Sequence, residues 1–369
     1  MRITVLAENL NKAMGIVIKG VSGKSQLPVL SNVLIRATKS GLELISTDLE
    51  ISFVCKVGAK IEDEGEILVP AKLFADLVST LSLGSVELST EKQVLKVSAE
   101  KNETELTGMA ADEFPGIPRA LGKGIEIDAG EFKDKMEKVM VAAARDNARP
   151  VLEGVLWVFE GVRGTIAATD GYRMGTDCFK DIKGVTKKEE EKVILPVRAL
   201  RELIRALPEE GQSIGVELDR EKQQVVFKVG NLEMISRLIG GDFPPFDQII
   251  PKAYKTRVVF DRELLLSGVR RASIFAKGNA NIVLLKISEE GLEVSAGSAE
   301  VGKNVSRMEV EFEGEAVEMA FNGRYLLEYL GSVTTDKVTL ETEGDLKPGV
   351  FKIEGSEFLH IIMPIRQNT

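Results

Sequence analysis

The amino-acid sequence predicts an α+β protein of three similar domains, each with two helices packed on antiparallel sheets. Three observations lead to this prediction: a threefold repeat, amphipathic helical segments, and strand segments in which apolar and charged residues alternate. The repeat is clearest where a strand passes into a helix, at Pro70, Pro196 and Asn322, which are separated by 126 residues in both intervals (196 − 70 and 322 − 196). Equal intervals in a chain of 369 residues indicate three copies of one unit.

The helices are predicted from apolar residues that recur every three or four positions. In the third helix, Phe132, Met136, Val139, Met140 and Ala143 share one face, as expected of a helix with one buried side. The same pattern predicts six helices, two in each domain. They cover residues 8–24, 71–81, 131–145, 197–207, 261–277 and 323–333.

The strand prediction rests on alternation, which is clearest over residues 307–321. Here Met308, Val310 and Phe312 alternate with three glutamates. Successive side chains of a strand point to opposite faces, so this pattern is typical of a half-buried antiparallel strand. We therefore predict one strand over this stretch, and helices on one face of an antiparallel sheet in each domain.

Domain boundaries are predicted from two linker-like stretches, residues 116–124 and 251–256, which are rich in Gly, Pro and Lys. They come after Phe114-Pro115 and Phe243-Pro244, which we interpret as motifs that close a unit. Met363-Pro364 near the chain end is then the third copy of this motif. The predicted domains are residues 1–122, 123–254 and 255–369.

Several functional classes are disfavoured by the residues present. The sole histidine, His360, lies in an apolar strand, which argues against His-based catalysis and multi-His metal sites. No phosphate-binding glycine loop of the GxxxxGK[ST] or GxGxxG kind occurs. Asp48 in STDLE and Asp170 in ATDGYR are interpreted as turn residues rather than a catalytic carboxylate pair. We expect no enzymatic activity, no cofactor and no metal.

The location of the protein is predicted from its cysteines and its first residues. Cys55 and Cys178 lie far apart in apolar stretches, so we expect buried thiols rather than a disulfide. The start of the chain has no signal-peptide pattern, and no apolar run is long enough to span a membrane. A cytoplasmic protein is expected.

The charge is distributed unevenly along the chain. The net charge of −9 alone argues against a nucleic-acid binder. However, the six predicted helices together carry +7, which leaves −16 for the rest of the chain. In the fourth helix, Arg198, Arg201 and Arg205 share the face opposite the apolar stripe. Lys138 belongs to the similar outer face of the third helix. A basic helix layer of this kind suits phosphate contact without base recognition.

Seven motifs, in order along the whole chain, carry a family resemblance. They are LPVLSNVLI (27–35), STDLE (46–50), MAADEFP (109–115), AATDGYR (167–173), GGDFPPFDQIIP (240–251), AFN (320–322) and MPIR (363–366). With these motifs the chain resembles the bacterial DNA polymerase III beta subunit family, the replicative sliding clamps. The resemblance implies a head-to-tail homodimer closed into a ring, which encircles duplex DNA without sequence specificity.

The resemblance also implies partners and a binding site for them. The partners are the DNA polymerase III alpha subunit, the clamp loader complex, and other polymerases and repair proteins that insert short apolar peptide motifs. Tyr172 departs from the histidine that many relatives have. The implied peptide pocket consists of Leu152, Thr169, Gly171, Tyr172, Arg173, Met174, Pro244, Ile249, Pro348, Ile362, Met363, Pro364, Ile365 and Arg366.

Two further sets of residues are assigned in the same way. For DNA, the resemblance points to Lys24, Arg149 and Arg198, and the helix pattern adds Arg201, Arg205 and Lys138. For the contact between subunits, it points to Leu106, Ile274 and Phe275. An alternative stays open: a repeat scaffold that binds only proteins through short apolar peptides. It would have the same pocket but would not need the basic helix layer.

Overall fold

The computed structural model describes residues 1–369 except 22–26, 118–121, 123, 147, 185–190, 208–210, 278–279, 299–301 and 367–369. Each predicted helix corresponds to one α-helix in the described part of the chain. The bounds are α1 (Ala7–Val17), α2 (Ala71–Ser79), α3 (Ala129–Met140), α4 (Val197–Ala206), α5 (Arg262–Ala276) and α6 (Gly323–Ser332). No helix among the described residues is long and apolar enough to cross a membrane.

The first helix ends earlier than predicted. A short 3₁₀ turn, Ile18–Gly20, follows α1. The Ser46 hydroxyl donates a hydrogen bond to the Val17 carbonyl and so satisfies one of the last carbonyls of the helix. Gly20 is buried, and a Cβ there would lie 2.5 Å from Ser46 Oγ. This close packing stops the helix before the predicted end at residue 24.

The described residues form 26 strands. The first nine are β1 (Arg2–Leu6), β2 (Asn32–Thr38), β3 (Gly41–Thr47), β4 (Ile51–Val57), β5 (Ala59–Asp63), β6 (Gly65–Pro70), β7 (Ser85–Glu91), β8 (Val94–Ala99) and β9 (Asn102–Thr107). The next eight are β10 (Ile125–Asp128), β11 (Gly154–Glu160), β12 (Arg163–Thr169), β13 (Arg173–Phe179), β14 (Glu191–Pro196), β15 (Ser213–Asp219), β16 (Gln224–Val229) and β17 (Leu232–Arg237). The last nine are β18 (Thr256–Asp261), β19 (Ile282–Ser288), β20 (Gly291–Ser298), β21 (Gly302–Met308), β22 (Glu311–Gly314), β23 (Val317–Asn322), β24 (Lys337–Thr342), β25 (Gly349–Lys352) and β26 (Leu359–Ile362).

The chain divides into two compact units. Unit 1 contains Met1–Gly130 and Arg198–Leu238, and unit 2 contains Glu131–Val197 and Ile239–Thr369. Unit 1 holds a sheet of order β5-β1-β7-β8-β9 and one of order β10-β15-β16-β17-β4-β3-β2-β6. Unit 2 holds a sheet of order β14-β11-β12-β13-β26-β25-β24-β18-β22 and one of order β21-β20-β19-β23. The paired strands described are antiparallel throughout, as the predicted α+β class requires.

Two strand pairs join segments that the sequence assigns to different domains. In unit 1, β4 pairs with β17, and in unit 2, β13 pairs with β26. The long sheets therefore continue across the predicted boundaries near residues 122 and 254. The exact boundaries stay a prediction.

The repeat is visible in equivalent backbone hydrogen bonds. The Ile239 amide donates to the Ile194 carbonyl at 2.9 Å, and the Ile365 amide donates to the Ala320 carbonyl at 2.7 Å. Both the donors and the acceptors are 126 residues apart. The Met363 amide likewise donates to a carbonyl of the β12–β13 loop, as the Arg237 amide does in the β3–β4 loop. Met363-Pro364 is therefore equivalent to residues 237–238, and its assignment to the Phe243-Pro244 motif is wrong.

The prediction of one strand over residues 307–321 is also wrong, although the alternation is real. Met308, Val310 and Phe312 are half-buried, and the glutamates between them are exposed. The chain nevertheless changes sheets here, since β21 pairs with β20 whereas β22 pairs with β18. Gly314 ends β22 at φ 99°, where a Cβ would overlap the Lys255 carbonyl.

Candidate functional site

The loop between β12 and β13 is a tight turn built by two polar side chains. Asp170 Oδ1 accepts hydrogen bonds from the amides of Tyr172, at 2.9 Å, and Arg173, at 3.0 Å. Thr169 Oγ1 donates to the Arg173 carbonyl at 2.7 Å and accepts from the Gly171 amide at 3.0 Å. Gly171 has φ 91°, which favours glycine. The interpretation of Asp170 as a turn residue is confirmed.

The turn holds the C-terminal segment at the surface of unit 2. The Met363 amide donates to the Tyr172 carbonyl at 2.9 Å, and Arg173 lies opposite Ile362 in the pairing of β13 with β26. Tyr172 is 65% exposed and Met363 is 39% exposed. Two large side chains, of a tyrosine and a methionine, are therefore exposed at positions that share a backbone hydrogen bond.

The other residues of the predicted pocket divide by exposure. Leu152, Thr169, Arg173, Met174 and Ile362 are buried and support the surface from below. Gly171, Ile249 and Arg366 are exposed, whereas Pro244, Pro348, Pro364 and Ile365 are half-buried.

The support below this surface is continuous. Met174 packs in a buried cluster with Val350 and Ile361, and Phe246 and Ile250 pack against it. The cluster therefore connects the turn strand, the C-terminal strand and the segment that carries Ile249.

An ion network lies behind the turn. The Arg173 side chain is only 2% exposed and contacts Asp170 at 3.0 Å and Glu328 at 2.6 Å. The Tyr325 ring covers it, with the guanidinium 4.3 Å from the ring centroid. Burial raises the pKa of Glu328, but the hydrogen bond from Arg324 and the positive charges of Arg173 and Arg145 outweigh it and hold that pKa below its usual value.

The predicted DNA contacts are surface cations that already have partners. Arg198 is 61% exposed and pairs with Asp48. Arg205 is 65% exposed and contacts Glu202 at 2.8 Å. Arg149 and Arg201 are also exposed; Arg149 donates to the Asp170 carbonyl at 3.2 Å, and Arg201 takes part in an interaction within the chain.

Lys138 and Lys24 differ from the other predicted DNA contacts. Lys138 was expected to face solvent, but its side chain is only 13% exposed and contacts Asp134 at 2.6 Å. The expectation is wrong because the lysine folds back along α3 to a carboxylate one turn earlier. Lys24 lies outside the described residues.

The residues predicted to join subunits differ in exposure. Ile274 is 63% exposed on α5 and Phe275 is half-buried. Leu106 on β9 is only 5% exposed, so it belongs to the core of unit 1 and offers little surface. An exposed apolar side chain near β9 is instead Leu83, at 82%, which lines a groove together with Asn102 and Thr104.

Three family models match nearly the whole chain. The N-terminal domain of the DNA polymerase III beta subunit matches residues 1–118, the central domain matches 126–245, and the C-terminal domain matches 247–366. The chain belongs to the DNA polymerase III beta subunit family. The threefold organisation predicted from the repeat is confirmed.

Members of the beta subunit family are similar to this chain over its full length. The beta sliding clamps of Synechocystis and Staphylococcus aureus are 27% and 26% identical, with 99% of each chain covered. The solved sliding clamp of Bacillus subtilis has a TM-score of 0.94 at 26% identity, with 100% of both chains covered. The Pseudomonas aeruginosa clamp bound to griselimycin has a TM-score of 0.92 at 27% identity, again over 100% of both chains.

Membership of the beta subunit family establishes the general role. The chain is a DNA sliding clamp, a processivity factor rather than an enzyme. The protein-only scaffold is not favoured. Among the described residues, no group of three or more His, Cys, Asp or Glu side chains could hold a metal ion.

The ion network around Glu328 was not predicted from the sequence. The three arginines that contact Glu328 are Arg145, Arg173 and Arg324. One signal was available, because Arg324 and Glu328 are four residues apart on α6. The other two contacts join residues more than 150 positions apart, which no local pattern reveals.

Proposed function

We propose that two copies of this clamp close head to tail into a ring around duplex DNA and hold partner proteins through the Tyr172–Met363 surface. The observation that carries the ring is a pair of complementary sheet edges. In the described residues, β9 and β21 each pair on one side only. Unpaired edges of this kind are templates for a second chain.

The two edges suit each other in charge. β9 carries Glu103 and Glu105, whereas β21 carries Lys303 and Arg307. If β9 of one copy meets β21 of the other, opposite charges face across the new pair. The contact is heterologous, so it closes into a ring only if the rotation between copies allows.

Apolar surface lies beside each edge. A groove of about 350 Å³ near β9 is lined in part by Leu77, Leu81 and Leu83. On unit 2, Ile274 stands exposed on α5, which packs on β20 and β21. Burying these side chains against each other supplies the apolar centre that a stable subunit contact needs.

The DNA face is proposed to be the outer side of the basic helices. Arg198, Arg201 and Arg205 can exchange their protein partners for phosphates, since exposed ion pairs are weak. Contacts to phosphates carry no base information, so the clamp would bind any sequence and move along it.

We place the protein in the cytoplasm, and we retain domains of residues 1–122, 123–254 and 255–369 as the proposed building blocks.

The partner site is proposed to receive short apolar peptides. Tyr172, Met363 and Ile249 offer apolar surface, and Arg149 and Arg366 add positive charge. The proposed partners are the DNA polymerase III alpha subunit, the clamp loader complex, and other polymerases and repair proteins.

Topological retention on DNA tests the ring. The clamp is loaded onto nicked circular DNA by its cognate clamp loader, and the DNA is then cut once. We expect retention on circles, rapid release after cutting, and a particle of twice the chain mass. Equal retention on circular and linear DNA would contradict encirclement.

Charge reversal separates the DNA clamp from a protein-only scaffold. Arg198→Glu, Arg201→Glu and Arg205→Glu together should reduce polymerase stimulation on DNA while the dimer mass stays unchanged. Unchanged stimulation would mean that this face does not meet DNA.

The solved Pseudomonas aeruginosa clamp is bound to griselimycin, and we propose that the same ligand binds the Tyr172–Met363 surface of this chain. Calorimetry with griselimycin tests this site. We expect Met363→Glu to weaken griselimycin by about tenfold or more, because a charge replaces a central apolar contact. Val162→Glu is the matched control, since Val162 is 57% exposed and directly precedes β12, at the end of that strand away from the Thr169 turn. Equal affinity of the Met363 variant and wild type would place the ligand elsewhere.

A further inference from the structure

Glu328 is the point at which three arginines from different segments meet. Its carboxylate contacts Arg173 at 2.6 Å, Arg324 at 2.9 Å and Arg145 at 3.0 Å. Arg324 lies on the same helix, Arg145 follows α3, and Arg173 begins β13. The carboxylate therefore ties three parts of unit 2 together.

These contacts lead directly to the exposed partner surface. Arg173 contacts Asp170 as well as Glu328. The Asp170 carboxylate accepts a hydrogen bond from the Tyr172 amide at 2.9 Å. The Tyr172 carbonyl in turn accepts the Met363 amide at 2.9 Å. An unbroken series of polar contacts thus connects Glu328 to the backbone of both exposed side chains.

The β3–β4 loop of unit 1, Thr47–Ile51, is an internal comparison for the turn Thr169–Arg173. In both loops the Thr hydroxyl donates to the carbonyl four residues on, at 3.2 and 2.7 Å. In both, the Asp carboxylate accepts the amides two and three residues on, at 2.8 to 3.0 Å. Ile51 occupies the place of Arg173. Asp48 pairs instead with Arg198 of α4, so in unit 1 the turn carboxylate has an arginine partner that is exposed rather than buried.

The two loops differ in what they present to solvent. In unit 1 the equivalents of Tyr172 and Met363 are Glu50 and Arg237, which form an ion pair at 3.9 Å across the same backbone hydrogen bond. The equivalent positions of unit 1 thus carry two exposed charged side chains that pair with each other. Unit 2 has no such pair between its exposed Tyr and Met, and a buried network lies below them instead.

We propose that Glu328 is a positioning residue for partner binding, which fixes the Tyr172–Met363 surface by holding Arg173 in place. The role rests on the proposed partner site. Without the Glu328 carboxylate, three arginines would face each other. Asp170 alone would then neutralise the buried charge of Arg173. The turn would then lose its anchor and the exposed pair would lose its fixed spacing.

Griselimycin affinity of three variants tests this role. Glu328→Gln should weaken binding by about tenfold, equivalent to about 1.4 kcal/mol. Glu328→Asp, which retains the charge, should restore most of the affinity. Glu202→Gln is the matched control, because Glu202 lies 126 residues earlier at the same place in α4 and contacts only the exposed Arg205 in the described ion pairs. It should bind like wild type.

Hydrogen exchange at the Met363 amide gives a second readout that does not depend on the ligand. We expect faster exchange in Glu328→Gln while amides in the centre of β13 stay protected. If Glu328→Gln does not fold, Arg145→Ala and Arg324→Ala replace it, since both remove an exposed partner of the carboxylate.

The outcomes separate this proposal from the partner site. Wild-type affinity together with unchanged Met363 exchange in the Glu328 variant would overturn the positioning role. If wild-type protein does not bind griselimycin, the proposed ligand is wrong, and the exchange at Met363 alone then decides the role of Glu328.

Discussion

Replacing His360 with phenylalanine should stabilise the protein, and more strongly at low pH. The imidazole is fully buried in β26 and stacks on Tyr329, with ring centroids 5.0 Å apart. Among the residues described, neither ring nitrogen has a hydrogen-bond partner. Burial, aided by the charge of Arg173, lowers the pKa of His360 to about 3. Phenylalanine keeps the ring and removes both buried nitrogens.

The pH dependence follows from proton uptake by the unfolded chain. An unfolded histidine has a pKa near 6.5, whereas the folded imidazole stays neutral until about pH 3. Below pH 6.5 the unfolded chain binds a proton that the folded chain does not, so the free energy of unfolding decreases. The loss from His360 is about 2 kcal/mol between pH 7 and pH 5. At neutral pH, removing the unpaired polar atoms adds about 1 to 3 kcal/mol.

Urea unfolding at pH 7 and pH 5 measures both effects. The single tryptophan, Trp157, is buried in the same sheet as His360 and reports unfolding by its fluorescence. The stability difference between His360→Phe and wild type should be about 2 kcal/mol larger at pH 5. Tyr329→Phe is the control, because it also removes an unpaired buried polar atom but no group that titrates in this range. An equal difference at both pH values for the His360 variant would refute the reasoning.

Three further predictions concern DNA, the subunit contact and a buried thiol. Glu202→Gln should raise the affinity for duplex DNA by about two- to fivefold, because it removes the surface ion pair with Arg205 that competes with phosphate. Fluorescence anisotropy measures this affinity. Changing Ile274 and Phe275 together to alanine should give monomers by light scattering, and an undiminished dimer would place the contact elsewhere. Burial raises the pKa of Cys55 to about 11, so iodoacetamide at pH 8 should modify it only after urea is added, as mass spectrometry would show.

Much of the fold could be predicted because its signals are local. The apolar stripe of each helix is defined by a few neighbouring residues. The turn at Asp170 is predicted from the adjacent Thr and Gly. The prediction for residues 307–321 failed for a physical reason. Alternation records which face of a strand is buried, but it does not record which neighbouring strand provides the hydrogen bonds.

The site was predicted less completely, because its properties depend on distant contacts. Lys138 was expected in solvent, yet its charge is neutralised by Asp134. Leu106 looks like a subunit contact in the sequence but lies inside unit 1. The anchor at Glu328 brings together residues 145, 173 and 328, and only the folded chain shows that they meet.

Because Arg173 is buried, ionic strength should affect the proposed partner surface and the proposed DNA contacts differently. Mobile ions screen exposed charges such as Arg198 and Arg205, but they act far less on a pair that is withdrawn from solvent. A rise in salt should therefore weaken the proposed DNA contacts while the proposed partner surface keeps its shape. In the cell, a clamp of this kind could slide more freely without releasing the polymerase that it carries.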